Sequence, residues 1–204
     1  MRQKNEQELF WEGAFGVEYT ARNQDLSEER LPFFSKLLAL TSNVQTVCEL
    51  GSNRGENLSA LQRLRPDFRL TGVEINPAAV EHLQEISGVE AVQSSIQDFA
   101  PHQQYDLVFT SGVLIHLNPA DLALVYRKMG ELSKRYVLIN EYFNPSPVEI
   151  LYRGNTGKLF KRDFAGEFLD AHDGRFSVVD YGFLWSRLNP AWDNTTWVLM
   201  EKTV

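Results

Sequence analysis

The chain has 204 residues, a formal net charge of −7 at pH 7, 43% hydrophobic and 23% charged residues, which is typical of one folded domain and excludes a disordered or fibrous protein. The single cysteine, Cys48, excludes an internal disulfide and a cysteine zinc site and favours a reducing compartment, so we expect a cytoplasmic protein. Because the start lacks a signal-peptide core, no apolar run reaches about 18 residues and the charge is acidic, we expect neither a membrane span nor a nucleic-acid partner.

Two helices are predicted to open the chain, over residues 5–23 and 27–41. Ser27 is expected to cap the second helix, because a serine side chain can accept a hydrogen bond from the first helical turn. An apolar stripe at helical spacing then follows, formed by Leu31, Phe34, Leu37 and Leu38. The first 43 residues are therefore interpreted as helices that cap a core.

From residue 44 onward, short β-branched or apolar segments alternate with amphipathic ones. Strands are predicted at 44–50, 69–75, 89–93, 105–110 and 136–141, and helices at 56–64, 77–86 and 119–132. This alternation is typical of a parallel sheet with crossover helices on both faces. Two further strands, at 176–184 and 195–201, are expected to close it as an antiparallel hairpin. The prediction is an α/β fold with a seven-stranded mixed sheet whose last strand is antiparallel.

The segment between the two parts of this sheet, residues 142–175, is polar and irregular, and long irregular segments in compact domains are often functional. Residues 151–162 carry four basic side chains and no acidic one. Positive charge beside the carboxyl ends of strands favours an anionic substrate, although a solvated surface segment is the alternative. The predicted substrate-binding residues are Tyr142, Asn144, Tyr152, Arg153, Lys158, Lys161 and Arg162.

The first predicted strand ends in a turn that contains a glycine and leads into a helix. Gly51 allows a sharp turn and lets a ligand approach without a Cβ in the way, and the helix start after Gly55 offers unpaired N–H groups. Asn53 stands where a glycine-rich phosphate loop has its middle glycine, and asparagine tolerates left-handed backbone. Glu74 ends the second strand, where a carboxylate can accept hydrogen bonds from both hydroxyls of a ribose.

Two carboxylates, Glu49 and Glu74, thus flank one turn. The negative charge of Glu49 disfavours the pyrophosphate of a dinucleotide and suits a ligand that carries an ammonium group. S-adenosyl-L-methionine has that ammonium group and a ribose, and it has no phosphate. An NAD-dependent oxidoreductase or epimerase is the rival enzyme, and it would need a pyrophosphate cradle.

With these motifs the sequence resembles the class I S-adenosylmethionine-dependent methyltransferases over residues 44–141. The resemblance implies a Rossmann-like fold and S-adenosyl-L-methionine as cofactor. In many family members an Asp stands at the position of Ser95, so either Ser95 or the backbone of Ile96 would read the adenine amine. The cofactor-binding residues that the resemblance implies are Glu49, Gly51, Ser52, Asn53, Gly55, Glu74, Ile75, Ser95, Ile96, Thr110, Ser111 and Gly112.

A narrower resemblance extends to a small clade of methylases associated with pseudaminic acid biosynthesis. It is carried by residues 10–23, 141–145, 152–154, 160–164 and 192–197. This resemblance implies a role in acidic-sugar metabolism, with a sugar acid or a nucleotide-activated sugar as the methyl acceptor.

Several other polar residues are candidates with two interpretations each. His116 follows the fourth strand and is the candidate general base, which is needed only if the acceptor arrives protonated; alternatively it lines the pocket or caps a helix. Tyr19, Arg22 and Asn23 either fold over the cofactor, with Arg22 pairing a carboxylate, or belong to an amphipathic helix that covers the sheet. The remaining histidines are expected at the surface: His82, His102 and His172. No spacing of metal ligands stands out.

The sequence therefore predicts methyl transfer from S-adenosyl-L-methionine to a small anionic acceptor. The rival from another class is a cofactor-binding regulatory or scaffold subunit without catalysis, and a different small-molecule acceptor is a further alternative. The predicted division of the single domain 1–204 is a cap at 1–43, a cofactor-binding core at 44–141, a substrate-binding insertion at 142–175 and a C-terminal hairpin at 176–204.

Overall fold

The computed structural model describes residues 2–22 and 26–203, and a seven-stranded sheet forms its centre. The strands within these residues are β1 (Thr46–Leu50), β2 (Arg69–Glu74), β3 (Val89–Gln93), β4 (Tyr105–Ser111), β5 (Ser133–Glu141), β6 (Val148–Glu149), β7 (Phe160–Lys161), β8 (Phe176–Leu184) and β9 (Thr195–Lys202). The sheet order is β3-β2-β1-β4-β5-β9-β8, and β9 runs antiparallel to both of its neighbours. The predicted seven-stranded mixed sheet is therefore confirmed, with β6 and β7 as a separate two-stranded sheet.

Helices cover both faces of this sheet. They are α1 (Glu6–Glu12), α2 (Ala14–Arg22), α3 (Ser27–Ala39), α4 (Glu56–Leu64), α5 (Pro77–Gln84), α6 (Leu122–Leu132) and α7 (Phe164–Ala171), with 3-10 turns at Leu114–His116 and Pro119–Asp121. Alternate strand residues point to opposite faces. In β4, Leu107 and Phe109 pack with α3 and α4, whereas Val108 packs with α6 and α7. Burial on both faces explains why these strands read as continuous apolar runs.

The first predicted helix is in fact two helices. The backbone of Gly13 is extended and ends α1, so residues 5–22 do not form one continuous rod. The side chain of Asn5 caps α1 by accepting a hydrogen bond from the Glu8 N–H. The predicted cap of the next helix was wrong, because Ser27 is already helical and the apolar Leu26 occupies the N-cap position. Asn23 lies outside the described residues.

The segment 142–175 contains more regular structure than its polar composition indicates, because it holds β6, β7 and α7. His172 was predicted at the surface, and that prediction was wrong: the ring is buried, and its Nδ1 lies 2.7 Å from the Phe168 carbonyl oxygen. A Cβ on Gly130 would lie 2.1 Å from Nε2 of His172. The histidine therefore fills space that a distant glycine leaves in α6, and local sequence does not show this.

The five parallel strands, β1 to β5, bring their carboxyl ends to one edge of the sheet. Glu49 in β1 pairs with Gly72 in β2 and with Phe109 in β4, so the turns after these strands are neighbours. Because β9 is antiparallel, its first residues lie at the same edge: Thr196 pairs with Glu141 at the end of β5. Loops from four separate parts of the chain thus meet here. No helix in the described ranges is long and apolar enough to cross a membrane.

Candidate functional site

A cavity of about 320 Å³ lies at the carboxyl edge of the sheet. Turns after β1, β2, β3 and β4 line one side, and residues of α1, α2, α3 and the loop 190–193 line the other. Its volume lies within the roughly 300–1,000 Å³ of small-molecule sites. Among the described residues, no group of three or more His, Cys, Asp or Glu side chains could hold a metal ion.

The turn after β1 is shaped by two left-handed residues that line the cavity. Gly51 has φ 79°, and a Cβ at this position would lie 2.3 Å from a methyl carbon of Val113. Asn53 has φ 47°, the conformation that the sequence analysis expected an asparagine to tolerate. Ser52 lies between them and also lines the cavity, whereas Gly55 lies behind it, packed against α5. Gly51 therefore permits close packing of the turn after β4.

Glu74 connects the turns after β1 and β2. Its two carboxylate oxygens accept hydrogen bonds from the backbone N–H groups of Asn53 and Asn76, each at 2.8 Å. Burial raises the pKa of this carboxyl above its usual value. Glu74 and the neighbouring Ile75 both line the cavity. The carboxylate thus holds the wall in shape and faces the space that the wall encloses.

Glu49 at the end of β1 is buried, and only one of its two carboxylate oxygens has a hydrogen-bond partner among the described residues. Its Oε1 accepts a hydrogen bond from Asn57 Nδ2 at 2.6 Å, and its Oε2 has no hydrogen-bond partner within the described part of the chain. Burial raises the pKa of Glu49 to about 8. A buried acceptor without a donor is costly, and a cationic donor from a ligand would relieve that cost.

Arg30 and Trp192 bring unpaired donors to the same end of the cavity. The guanidinium of Arg30 lies 4.6 Å over the Trp192 ring and donates to Asn57 Oδ1 at 2.6 Å. Arg30 Nε and Trp192 Nε1 are buried, and neither has a hydrogen-bond partner in residues 2–22 and 26–203. Asn57 thus links Arg30 to Glu49. This end of the cavity combines one free carboxylate oxygen with two free N–H donors.

His116 lies in the 3-10 turn after β4 and lines the cavity. Its Nδ1 is 2.7 Å from the carbonyl oxygen of Lys158, and burial lowers its pKa to about 4. The ring of Trp11, from α1, lies 4.4 Å from the His116 ring, and Tyr152 lies 5.0 Å from it. The imidazole is therefore neutral near pH 7 and is surrounded by aromatic rings.

The turn after β3 forms the opposite end of the cavity. Ser95 and Ile96 both line it, as the resemblance implied for the adenine end of the cofactor. The Ser95 hydroxyl donates to the Asp98 carboxylate at 3.0 Å and accepts from the Asp98 N–H. Glu8 of α1 is buried on the facing side and pairs with Arg2, so the first helix closes this end.

The end of β4 places Ser111 and Gly112 against the cavity and Thr110 behind it, fully buried. Sequence reasoning missed the group that holds this turn. The carboxylate of Glu141 accepts hydrogen bonds from the N–H groups of residues 113 to 115, at 3.1 to 3.4 Å. Burial raises the pKa of Glu141 to about 7 despite these donors.

The helical residues predicted to fold over the cofactor are separated by the structure. Tyr19 lines the cavity. Arg22 does not: its side chain is exposed, with the guanidinium 5.9 Å from the Phe15 ring centre. Arg30, one helix further along the chain, brings a guanidinium to the cavity instead.

The residues predicted to bind the acceptor lie in the segment 142–175, and none of them lines the cavity. Lys158 is buried, and its ammonium group pairs with Glu6 of α1. Arg162 pairs with Glu167 at 2.8 Å. Asn144 Nδ2 donates to the carbonyl oxygen of Ser146.

The other cations of this segment lie next to aromatic rings. Lys161 Nζ is 5.1 Å from the Tyr142 ring centre, and the Arg153 guanidinium is 5.8 Å from that of Tyr152. Burial and a hydrogen bond to Asp193 raise the pKa of Tyr142. Asp193 itself lines the cavity, so Tyr142 connects the basic segment to the cavity mouth.

Sequence comparison finds similarity in the middle of the chain. A family model described as a methyltransferase domain matches residues 47–135, from β1 to the start of β5. Over 73 residues the chain is 32% identical to trans-aconitate 2-methyltransferase of Escherichia coli. That match covers 35% of the chain and 29% of the relative, so the chain spans less than a third of the length of the curated relatives it matches.

Solved structures share the fold along nearly the whole chain. An S-adenosylmethionine-dependent methyltransferase of Leishmania major gives a TM-score of 0.71 at 14% identity, covering 98% of this chain and 87% of that one. Magnesium protoporphyrin IX methyltransferase of Synechocystis, with bound S-adenosylhomocysteine, gives 0.68 at 13% identity, covering 97% and 100%. The 1,6-didemethyltoxoflavin-N1-methyltransferase of Burkholderia thailandensis gives 0.66 at 18% identity, covering 93% and 83%. The chain has the Rossmann-like fold of these methyltransferases.

Proposed function

We propose that the protein is an S-adenosyl-L-methionine-dependent methyltransferase that acts on a small molecule. The observation that carries the proposal is the set of buried, unpaired polar atoms at one end of the cavity: Glu49 Oε2, Arg30 Nε and Trp192 Nε1. The amino-acid end of S-adenosyl-L-methionine has an ammonium group and a carboxylate. One free carboxylate oxygen beside two free N–H donors fits that pair of charges.

The remaining groups along the cavity suit the rest of this cofactor. Glu74 is available to ribose hydroxyls, and Gly51 lines the cavity without a side chain of its own. The turn that contains Ser95 and Ile96 is the candidate adenine site. The buried carboxyl of Glu49 at the turn disfavours a pyrophosphate, and NAD is therefore disfavoured as the ligand. When bound, S-adenosyl-L-methionine supplies an electrophilic methyl group on a sulfonium.

For the acceptor we propose a small anionic molecule, of the sugar-acid or nucleotide-sugar class that the pseudaminic acid methylase resemblance implies. Two observations support an anion. Arg153 and Lys161 form no ion pair with any described residue, and each lies beside a tyrosine that contacts a residue lining the cavity: Tyr152 is next to His116, and Tyr142 is hydrogen-bonded to Asp193. The Escherichia coli relatives are named for trans-aconitate, which carries carboxylates. A cytoplasmic location and the absence of a nucleic-acid partner stay predictions.

Calorimetry with three ligands tests the cofactor. S-adenosyl-L-methionine is expected to bind and NAD is not, and 5′-methylthioadenosine, which lacks the amino-acid end, is expected to bind more weakly. Trp192→Phe removes one N–H and keeps a ring under Arg30, so it is expected to lower S-adenosyl-L-methionine affinity about fivefold. The same variant is expected to leave 5′-methylthioadenosine affinity unchanged.

The control for this variant is Trp185→Phe, which changes an exposed tryptophan that does not line the cavity. No binding of S-adenosyl-L-methionine by the wild type contradicts the proposal. Equal weakening of both ligands by Trp192→Phe contradicts the assignment of Trp192 to the carboxylate. Transfer of labelled methyl groups to small molecules separates an enzyme from a silent cofactor-binding subunit.

A further inference from the structure

Trp11 of α1 lines the cavity and is not one of the groups that fit the amino-acid end of the cofactor. Its ring centre lies 4.4 Å from that of His116, and Tyr19 packs edge-on against the indole at 5.3 Å. The indole nitrogen Nε1 is buried, and no described residue accepts a hydrogen bond from it. A buried donor without an acceptor is rare in native proteins unless a ligand uses it.

His116 supplies the complementary group next to this donor. A carbonyl oxygen can only accept, so the contact of Nδ1 with the Lys158 oxygen at 2.7 Å places the ring hydrogen on Nδ1. Because the ring is neutral, Nε2 at its other edge carries a lone pair. Trp11 and His116 both line the cavity, so two rings in contact there carry an N–H donor, Trp11 Nε1, and a proton acceptor, His116 Nε2.

We propose that Trp11 and His116 bind the group that receives the methyl, and that this group is a hydroxyl. The inference rests on the proposed methyltransferase function. A hydroxyl oxygen has two lone pairs and one hydrogen. One lone pair accepts the hydrogen bond from Trp11, the other attacks the methyl carbon, and the hydrogen points to His116.

Other acceptor groups match this pair less well. An amine nitrogen has one lone pair, which the attack consumes, so Trp11 Nε1 would stay without an acceptor. A carboxylate has no proton for His116 to take. A carbon nucleophile has no lone pair to accept the indole hydrogen bond. An acidic sugar remains compatible, provided that one of its hydroxyls, and not its carboxylate, receives the methyl.

The step balances as follows in atoms and electrons. The hydroxyl oxygen forms a bond to the methyl carbon while the bond from sulfur to that carbon breaks, and the bonding pair stays on sulfur as a neutral thioether. The hydroxyl proton passes to Nε2 of His116, so the single positive charge moves from sulfonium to imidazolium. The proton becomes strongly acidic as the oxygen–carbon bond forms, and for that reason a weak base suffices.

Three probes that differ only in the acceptor group test the assignment: phenol, aniline and benzoate, titrated by ligand-observed NMR into protein saturated with S-adenosylhomocysteine. Phenol is expected to bind most tightly. Trp11→Phe keeps the ring and removes the donor, and it is expected to weaken phenol binding about fivefold without changing S-adenosylhomocysteine affinity. Trp185→Phe is the matched control and is expected to change neither.

Carbon-13-labelled S-adenosyl-L-methionine then reports the acceptor atom, with methyl on the phenol oxygen as the expected product. Absent phenol binding, aniline or benzoate binding as tightly as phenol, methyl transfer to nitrogen, or an unchanged phenol affinity in Trp11→Phe overturns the hydroxyl assignment. Failure of S-adenosylhomocysteine to bind overturns the proposed function itself, and with it this inference. The two failures are therefore distinguishable.

Discussion

The two sides of the cavity differ in how they satisfy their polar groups. The core wall, made of Gly51, Ser52, Asn53, Glu74 and Ile75, uses its carboxylate to hold backbone N–H groups of its own turns. The cap wall is made of Trp11, Tyr19, Arg30 and Trp192, and three of its N–H donors are buried without a partner among the described residues.

This difference indicates a division of roles between the walls. The core wall fixes the shape of the backbone, since its hydrogen bonds are made before any ligand arrives. The cap wall leaves its donors for ligands, and it places them on side chains from α1, α3 and the loop before β9. Substitutions in the core wall should therefore affect folding, and substitutions in the cap wall should affect binding.

The largest expected effect tests the core wall. Gly51→Ala puts a Cβ at a left-handed position and 2.3 Å from Val113, so strain and crowding act together. We expect a loss of about 3 kcal/mol of unfolding free energy, measured by urea denaturation, with loss of S-adenosyl-L-methionine binding. Gly88→Ala is the control: its φ is 80°, but the Cβ meets nothing within 4 Å, so about 1 kcal/mol is expected. Equal losses would refute the role of crowding.

The next effect concerns Glu49, where the two walls meet. Its pKa is raised from 4.5 to about 8, so the folded state holds a proton that the unfolded state releases. The stability of the free protein is then expected to be full below pH 4.5 and to fall as the pH rises towards 8. Glu49→Gln should flatten this slope in denaturation measured at several pH values, although Glu141, with its raised pKa, keeps part of it.

Cofactor binding should depend on pH in the opposite direction to stability. An ammonium group prefers ionised Glu49, so wild-type affinity for S-adenosyl-L-methionine is expected to rise over the pH range in which stability falls. Glu49→Gln is expected to lose at least about tenfold in affinity, from one charge-assisted hydrogen bond. An unchanged affinity would remove Glu49 from the ammonium site.

The smallest effect is expected outside both walls. Arg153→Ala and Lys161→Ala change side chains that do not line the cavity and form no ion pair with the described residues. Calorimetry is expected to give wild-type affinity for S-adenosyl-L-methionine, with stability within about 0.5 kcal/mol. If the basic segment binds an anionic acceptor, the two variants lower only the methylation of that acceptor. Loss of cofactor binding would instead show that the segment is structural.

The core wall could be predicted because its residues are close in sequence. The strand, the glycine turn and the acidic strand end form a pattern within about 25 residues. At Asn53 the residue type was expected to tolerate a left-handed backbone, and the structure has φ 47° there. Prediction was weaker where neighbours come from afar: the break at Gly13 and the burial of His172 against Gly130 depend on tertiary packing.

The cap wall illustrates the same limit at the site. Arg22 and Arg30 lie eight positions apart, Arg22 at the end of α2 and Arg30 within α3, yet only Arg30 reaches the cavity. The nearest sequence signal was the segment 192–197, which carries part of the narrower family resemblance. Nothing in the local pattern tells which donors will be buried without partners.

The sequence by itself determined the alternation of strands and helices, the glycine turn and the two carboxylates, Glu49 and Glu74, because alternation and turn chemistry are local properties of the chain. Only the tertiary structure decided which side chains face these carboxylates. Trp11, Arg30 and Trp192 are separated by as many as 181 positions, and they share one cavity because the parallel strands and the antiparallel β9 bring their loops to a single edge. Hydrogen-bond satisfaction depends on that proximity, and therefore the chemistry of the cap wall is a property of the fold.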